Sequence, residues 1–474
     1  MPNEPFQVTL SPGLMDTHLG TTVKFQVIMF AATKSFGPQP FTGGAPVSGW
    51  MPFASFAGLE SLPPASRVVV SLLLHAASTK KQLNKVRMNS PPGGSDLNSV
   101  PRCYNGAVMY ALARPLLFTF SPSLAHALGM FVLAPLEYVA PLRALVRAMN
   151  RPDLRSRVRA LGLDFPSSVG LAGGFDKNAT RARALAALGF GFVELGTVTA
   201  RAQAPNPAPN MFRLPADRAI VNRLGFPNEG ARAVVERFVA RGGVRAVGVP
   251  VAFSIGKSRT VEITEDPEPV IEDYLESFRH VAPVCDFVVV NVSSPNTANL
   301  RALQGPALAR ALLSSLVQQN EHSRPILLKV APDLGDADLD ALLEVVGEVG
   351  LAGIVATNTT VARAGLSTPP ERVQQIGAGG LSGPPLATRA REVVARARAK
   401  LGTRATIIGV GGVSTGEDAL AMMDAGADLV QFYTAFVYRG PSTPKRVASE
   451  LLLARERRQR TELLSSPSAN DKRP

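Results

Sequence analysis

From residue 166 onward the chain alternates between two patterns. Short apolar runs rich in Val, Ile and Leu are separated by longer Ala-, Arg- and Glu-containing stretches with helical spacing of their apolar positions. The runs are "SVGLAGGF", "GFVELGTV", "AVGVPVAFSI", "DFVVVNVSS", "PILLKVAPD", "AGIVATNT", "TIIGVGGV" and "DLVQFYTA". Strands that are nearly continuously apolar belong in a parallel sheet covered on both sides by helices. Eight such units predict an α/β fold, a closed (β/α)8 TIM barrel. The connection between the second and third runs, "TARAQAPNPAPNMFRLPADRAIVNRLGFPNEG", is longer than an ordinary strand-to-helix link, and connections of that length often carry function.

Residues 105–150 follow another pattern. No formal charge occurs from Pro115 to Leu136, yet Pro115, Pro122 and Pro135 interrupt the apolar run. Proline inside a helix costs about 3 kcal/mol, so a single spanning helix is disfavoured. Two short amphipathic helices split near "SPS" are expected, a small N-terminal microdomain that either lies in a membrane interface or packs as core. Residues 1–104, rich in Gly, Pro, Ser and Thr and without sustained periodicity, read as a low-complexity, disordered extension. Its apolar stretch "RVVVSLLLHAAS" is too short to span a bilayer. Acids are sparse there, as in a targeting peptide, but the opening "MPNEPF" is not Arg-rich, and a start at Met88 or Met109 would leave the segment out. The barrel is assigned to residues 151–445, and residues 446–474 to a helix end and a polar disordered tail.

Composition narrows the chemistry. The 474 residues include only Cys103 and Cys285, and the five His are far apart, so neither a disulfide framework nor a structural metal is expected. The formal charge of +13 comes without a compact basic block interleaved with aromatics, which argues against nucleic acid. Arginines in segments such as "TRAREVVARARAK" read as solvated helix faces.

A barrel of this kind builds its working site at the C-terminal ends of the strands. In "AGGFDKN", Gly173 and Gly174 let backbone approach a flat ligand and Lys177 supplies a cation. Thr197, Ser254, the cluster Asn291, Ser293, Ser294, Asn296 and Thr297, then Lys329, Thr357, Asn358 and Thr359 end the next strands. Gly411, Gly412, the helix start after Ser414, and the Tyr433–Thr434 pair suit an anion held by backbone N–H groups. Each residue also has a bland reading. Asn291 and Asn296 can satisfy loop backbone, Lys329 can pair with Asp333, and Thr359 can cap a helix. Eight strand ends all carrying ligand-competent groups favour a ligand.

The motifs "GLAGGFDKN", "ELGTVTARAQAPNPAPNMFRLPADRAIVNRLGFPNEG", "NVSSPNTANLRALQG", "LLKVAPDL", "ATNTT", "GGLSGPPL", "IIGVGG" and "LVQFYTAFVYRGP" resemble those of the class 2, quinone-dependent dihydroorotate dehydrogenases. The resemblance runs from about Met109 to about Gly440, and "RPLLFTFSPSLAH" is similar to that family's membrane-associating, quinone-admitting microdomain. It implies one FMN per chain and oxidation of (S)-dihydroorotate to orotate in de novo pyrimidine (UMP) biosynthesis, with ubiquinone or menaquinone as acceptor. Ser294 matches the catalytic base, and Thr297 and Phe226 match the relay and its gating. Lys177, Asn222, Arg223, Leu224, Gly225, Phe226, Asn291, Asn296, Asn358 and Thr359 match substrate positions. Gly173, Gly174, Phe175, Asp176, Lys177, Thr197, Ser254, Asn291, Lys329, Thr357, Gly383, Gly412, Tyr433 and Thr434 match flavin contacts. His126, Arg213 and Tyr433 match the quinone tunnel. The chain departs from the family at Ser254 and Ser258, where Asn is usual, and at Ala200 and Ala208. Class 1 relatives use Cys as base, which Ser294 argues against. The resemblance further implies a peripheral protein contacting the membrane through residues 105–150, on the cytoplasmic face of a bacterial inner membrane or, alternatively, on the mitochondrial inner membrane, with no oligomer required. The alternative of another class is a catalytically silent, flavin-binding barrel at the membrane.

Overall fold

The computed structural model describes residues 105–465, so the readings of residues 1–104 and of the last nine residues lie outside the described residues. In chain order the strands are β1 (Val158–Ala160), β2 (Leu163–Phe165), β3 (Val169–Leu171), β4 (Phe192–Val198), β5 (Met211–Leu214), β6 (Ala219–Asn222), β7 (Val251–Ile255), β8 (Phe287–Asn291), β9 (Ile326–Val330), β10 (Gly353–Ala356), β11 (Gly380–Ser382), β12 (Thr406–Val410) and β13 (Leu429–Phe432). The eight apolar runs become β3, β4, β7, β8, β9, β10, β12 and β13. These close on themselves as a barrel, every neighbouring pair parallel. The expected (β/α)8 architecture is therefore present.

Alternation along each strand sorts side chains between two environments. Outward residues such as Val193, Leu195, Val288 and Val290 join the core beneath the helices. Inward, Phe192, Ala252, Phe287, Val289, Leu327, Val355, Ile408 and Leu429 form a separate cluster closed by Phe165 of β2, so the β1–β2 hairpin plugs the end where the strands begin. The ring of Phe192 meets Phe165 edge-on at 5.3 Å and Phe287 at 6.3 Å. Gly170 makes this possible, because a Cβ there would lie 2.3 Å from the Phe192 ring. One inward step further along, the interior turns polar, with Glu194, Ser254, Asn291, Lys329 and Gln431 all buried.

The long connection after β4 is not irregular. Its β5–β6 hairpin pairs antiparallel with β11, with Gly380 opposite Asn222, so the loops following β4 and β10 are zipped into one three-stranded sheet.

The N-terminal segment breaks near "SPS" as expected, but it forms four helices rather than two: α1 (Asn105–Thr119), α2 (Pro122–Val132), α3 (Ala134–Tyr138) and α4 (Ala140–Asn150). Prolines suit a helix's first turn, and α2, α3 and α4 each open on one; Ser121 also caps Leu124 N–H at 3.3 Å. Tyr110 donates its hydroxyl to Val437 O, and Arg181 donates to Met130 O at 2.8 Å. In α3, buried Glu137 pairs with Arg183 at 2.8 Å and accepts from Ala184 N–H at 3.0 Å. The far faces of α1 and α2 stay exposed at Leu112, Leu116, Leu124, Phe131 and Val132. Among the described residues no single helix is long and apolar enough to cross a membrane.

The helix Thr443–Ser465 spans the expected boundary at residue 446. Val447, Ala448 and Leu451 are buried, and Glu450 accepts from Gly416 N–H at 2.9 Å, so its first half belongs to the barrel shell. Burial of this apolar face carries the helix past the polar composition that predicts an end.

Gly170→Ala overpacks the plug and costs about 1–3 kcal/mol, read as a lower urea midpoint with an unchanged slope. Glu137→Ala strands Arg183 and costs about 3 kcal/mol; hydrogen exchange should rise across residues 122–150 while the barrel strands stay protected.

Candidate functional site

The carboxyl ends of the barrel strands and their loops enclose a cavity, at the end of the fold where barrels build their working sites. One wall is a network of side-chain amides. Asn291 Nδ2 donates to Thr197 Oγ1 at 3.1 Å; Asn358 Nδ2 donates to Asn291 Oδ1 at 3.2 Å and to Ser293 Oγ at 3.0 Å. Asn296 Nδ2 donates to Asn222 Oδ1 at 3.3 Å, and Ser294 Oγ accepts from Asn296 N–H at 3.2 Å. Tyr274, wholly buried, donates to Asn291 O at 3.0 Å and fixes the end of β8 from behind. A register shift between Gly196 and Val198 re-aims Thr197 at the mouth of the barrel.

Lys177 stands in the cavity wall with its Nζ donating to Gly174 O at 2.6 Å. Desolvation pulls its ammonium down to about 8 despite the neighbouring Asp176 carboxylate. Phe226 reaches the cavity from a backbone φ of 54°, a left-handed conformation that a bulky residue adopts only when its surroundings impose it. At the opposite end, Gly383, Gly412, Ser414, Tyr433 and Thr434 form a seat in which Ser382 and Thr434 hydroxyls lie 2.8 Å apart. A Cβ on Gly412 would lie 2.3 Å from that of Ala387, so only glycine lets this turn close against the helix Ala387–Leu401.

Most residues singled out from the sequence line this one cavity. Gly173, Gly174, Lys177, Thr197, Asn291, Lys329, Thr357, Gly383, Gly412, Tyr433 and Thr434 do so, as do Asn222, Leu224, Gly225, Phe226, Ser294, Asn296, Asn358 and Thr359. Others stand behind the wall. Ser254 Oγ meets Thr197 Oγ1 at 2.9 Å, and Ser258 accepts from Arg201 N–H at 3.2 Å. The Asp176 carboxylate caps Thr180 and Arg181 N–H groups. Arg223 turns away to Ile376 O and Ala378 O, tying the β6 loop to the β11 loop. Thr297 Oγ1 is buried without a hydrogen-bond partner.

Phe175 links the cavity to the N-terminal helices: its ring meets Tyr433 at 5.3 Å and His126 of α2 at 5.0 Å. Burial, reinforced by Lys177, holds the His126 imidazolium down to about 4, and burial lifts the Tyr433 phenol to about 12. Arg213 packs over the Phe118 ring and donates to Phe120 O at 2.8 Å, beneath the loop between α1 and α2.

The sequence reading passed over Glu194 and Gln431. Lys329 does pair with a carboxylate, but with Glu194 at 3.0 Å rather than Asp333, whose partner is Arg301 at 2.8 Å. Gln431 lines the cavity and donates to Glu194 at 3.0 Å. A lone polar residue amid each apolar stretch, "FVEL" and "LVQF", was the available signal.

Comparison with known proteins agrees with this geometry. The sequence profile of the family described as Dihydroorotate dehydrogenase matches residues 155–454. The chain is similar to the dihydroorotate dehydrogenase (quinone) of Thermobifida fusca, 49% identical over 67% of this chain and 84% of that one. It is similar also to that of Kineococcus radiotolerans, 45% identical over 75% and 98%. Among solved structures it is similar to Eimeria tenella DHODH in complex with ferulenol, with a TM-score of 0.63 and 31% identity, covering 71% of this chain and 92% of that one. The barrel, its amide-lined cavity and these relatives together assign the chain to the dihydroorotate dehydrogenase family, in its quinone-dependent class.

Proposed function

We propose that this chain oxidises (S)-dihydroorotate to orotate in pyrimidine biosynthesis, using one FMN and passing electrons to a membrane quinone. The observation that carries the reading is the convergence of four asparagine amides, the Lys177 cation and the Ser294 hydroxyl on one cavity with a buried lysine at its floor. A ring bearing amide donors, carbonyl acceptors and a carboxylate needs side chains that both donate and accept, together with a cation. Asn222, Asn291, Asn296, Asn358 and Lys177 supply them, with Thr359 beside Asn358.

The residues present fit FMN. Gln431 Oε1 is buried without a partner at the cavity wall, Lys329 offers a cation there, and the Gly412 turn with Gly383 and Thr434 offers backbone and hydroxyl donors for a phosphate. Gly173, Gly174, Thr197, Thr357 and Tyr433 complete the walls. Bound FMN would supply the acceptor for the hydride leaving C6 and a path for its electrons to the quinone.

Ser294 Oγ takes the proton from C5. A serine is a weak base, so the burden falls on the acidity conferred by the neighbouring carbonyl and on a relay beyond Oγ, for which the unpartnered Thr297 hydroxyl stands ready. Phe226 covers this end of the cavity and excludes water. On the other side, Tyr433 and His126, bridged by Phe175, and Arg213 beneath the α1–α2 loop form the quinone path, leading to the exposed apolar faces of α1 and α2. Those faces suit peripheral docking on a bilayer, which we place at the cytoplasmic face of a bacterial inner membrane.

Anaerobic mixing of the purified protein with dihydroorotate should bleach the flavin, and a ubiquinone-like acceptor, not fumarate, should restore it; no bleaching would favour a catalytically silent flavin barrel. Ser294→Ala should retain FMN yet slow flavin reduction by about 10²- to 10⁴-fold; reduction at the parent rate would exclude this base. Lys177 is a cation only below its folded-state pKa near 8. The value of kcat/KM for dihydroorotate should therefore fall between about pH 7 and about pH 9, and Lys177→Met should remove that limb of the profile.

A further inference from the structure

We infer that Glu194 is a positioning residue for the flavin seat: its carboxylate fixes Lys329 and Gln431 and lowers the positive potential that Lys329 presents to a ring bound above them. The inference rests on the FMN reading of the cavity.

Glu194 is completely buried in the middle of β4, at an inward position one step beyond Phe192. It does not line the cavity, but both of its partners do. Oε1 holds Lys329 Nζ at 3.0 Å, and Oε2 accepts from Gln431 Nε2 at 3.0 Å. An ionised carboxylate can only accept, so Gln431 must turn its NH₂ toward it. That leaves Gln431 Oε1 buried and unpartnered, an acceptor available to a ligand N–H. The backbone is shaped around the same group. A Cβ on residue 173 would stand 2.2 Å from Glu194 Oε1, so Gly173 is required for the carboxylate to occupy its place, independently of any approach to a ligand.

Stability alone does not account for such an arrangement, since well-packed apolar residues commonly replace a buried ion pair at no loss. Its effect on a bound ring has a definite sign. With the carboxylate in place, Lys329 belongs to a neutral pair and its field is partly cancelled. Without it, the ammonium acts alone in a site shielded from water, where charges interact strongly. Two-electron reduction adds negative charge to the flavin, so removing the carboxylate favours the reduced form.

The test uses the full chain loaded with FMN. Glu194→Gln keeps the shape and an oxygen toward Lys329 while removing the charge; its NH₂ edge faces Gln431, which turns over to accept from it. The midpoint potential of the flavin, measured anaerobically against redox dyes, should become more positive by about 30 mV, equivalent to about tenfold in the two-electron equilibrium. FMN affinity, followed by flavin fluorescence, reports retention of the seat. A purely structural role would lower the unfolding midpoint and leave the potential where it was, and that result overturns the inference. Should Glu194→Gln not fold, Glu194→Asp decides, because it withdraws the carboxylate from Lys329 by one methylene. A shift in the same direction supports the inference, and an unmoved potential overturns it. A parent protein that takes up no FMN overturns the reading of the cavity itself, whereas a parent that binds FMN beside an unshifted variant overturns only the role of Glu194.

Discussion

Phe192 and Glu194 lie two residues apart on β4, face the same interior, and divide it. Below the division the barrel is filled by aromatic and aliphatic side chains under the Phe165 plug; above it, Glu194, Ser254, Asn291, Lys329 and Gln431 are polar and each engages another strand. The apolar layer holds the strands in register by close packing, which tolerates little change in volume. That rigidity allows the polar layer to be held open around a cavity, because side chains there need not fill space to keep the barrel closed.

The polar layer is also a solution to a desolvation problem. Glu194, Lys329, Gln431, Asn291, Thr197 and Ser254 come from five different strands, and each lies far from bulk water. Each donates to, accepts from, or neutralises another, so the cost of burial is shared within two groups, Glu194 with Lys329 and Gln431, and Thr197 with Ser254 and Asn291. Ser254 occupies a place where the family resemblance implies Asn. Its shorter side chain still reaches Thr197, so it joins the network without lining the cavity.

What could be read from the sequence follows from what each residue's neighbours demand. The barrel strands were legible because parallel strands buried on both faces must be apolar almost throughout. Asn291, Ser294, Asn296 and Asn358 were legible because polar groups gathered at an apolar strand's end need an explanation. Glu194 and Gln431 were not, since one polar residue within an apolar run has no visible partner until the barrel closes. The strands β5, β6 and β11 were missed because they are short, β5 is only half-buried, and β6 meets β11 across about 160 residues of chain. The number of N-terminal helices was missed because a proline that forbids continuing one helix equally well begins the next. Arg223 stands apart from its neighbours in the substrate set because its long side chain reaches backbone carbonyls of a different loop.

The pairing of β6 with β11 has a consequence for how this protein can vary. Insertions in most barrel loops change one loop only, and each can drift in length independently of the others. Here, slipping β6 by one residue against β11 would turn its side chains to the other face and take Asn222 from Asn296. Length changes at the β5–β6 turn and in the segment before β11 leave this pairing in register, whereas changes within the paired stretches alter both loops' alignment at once.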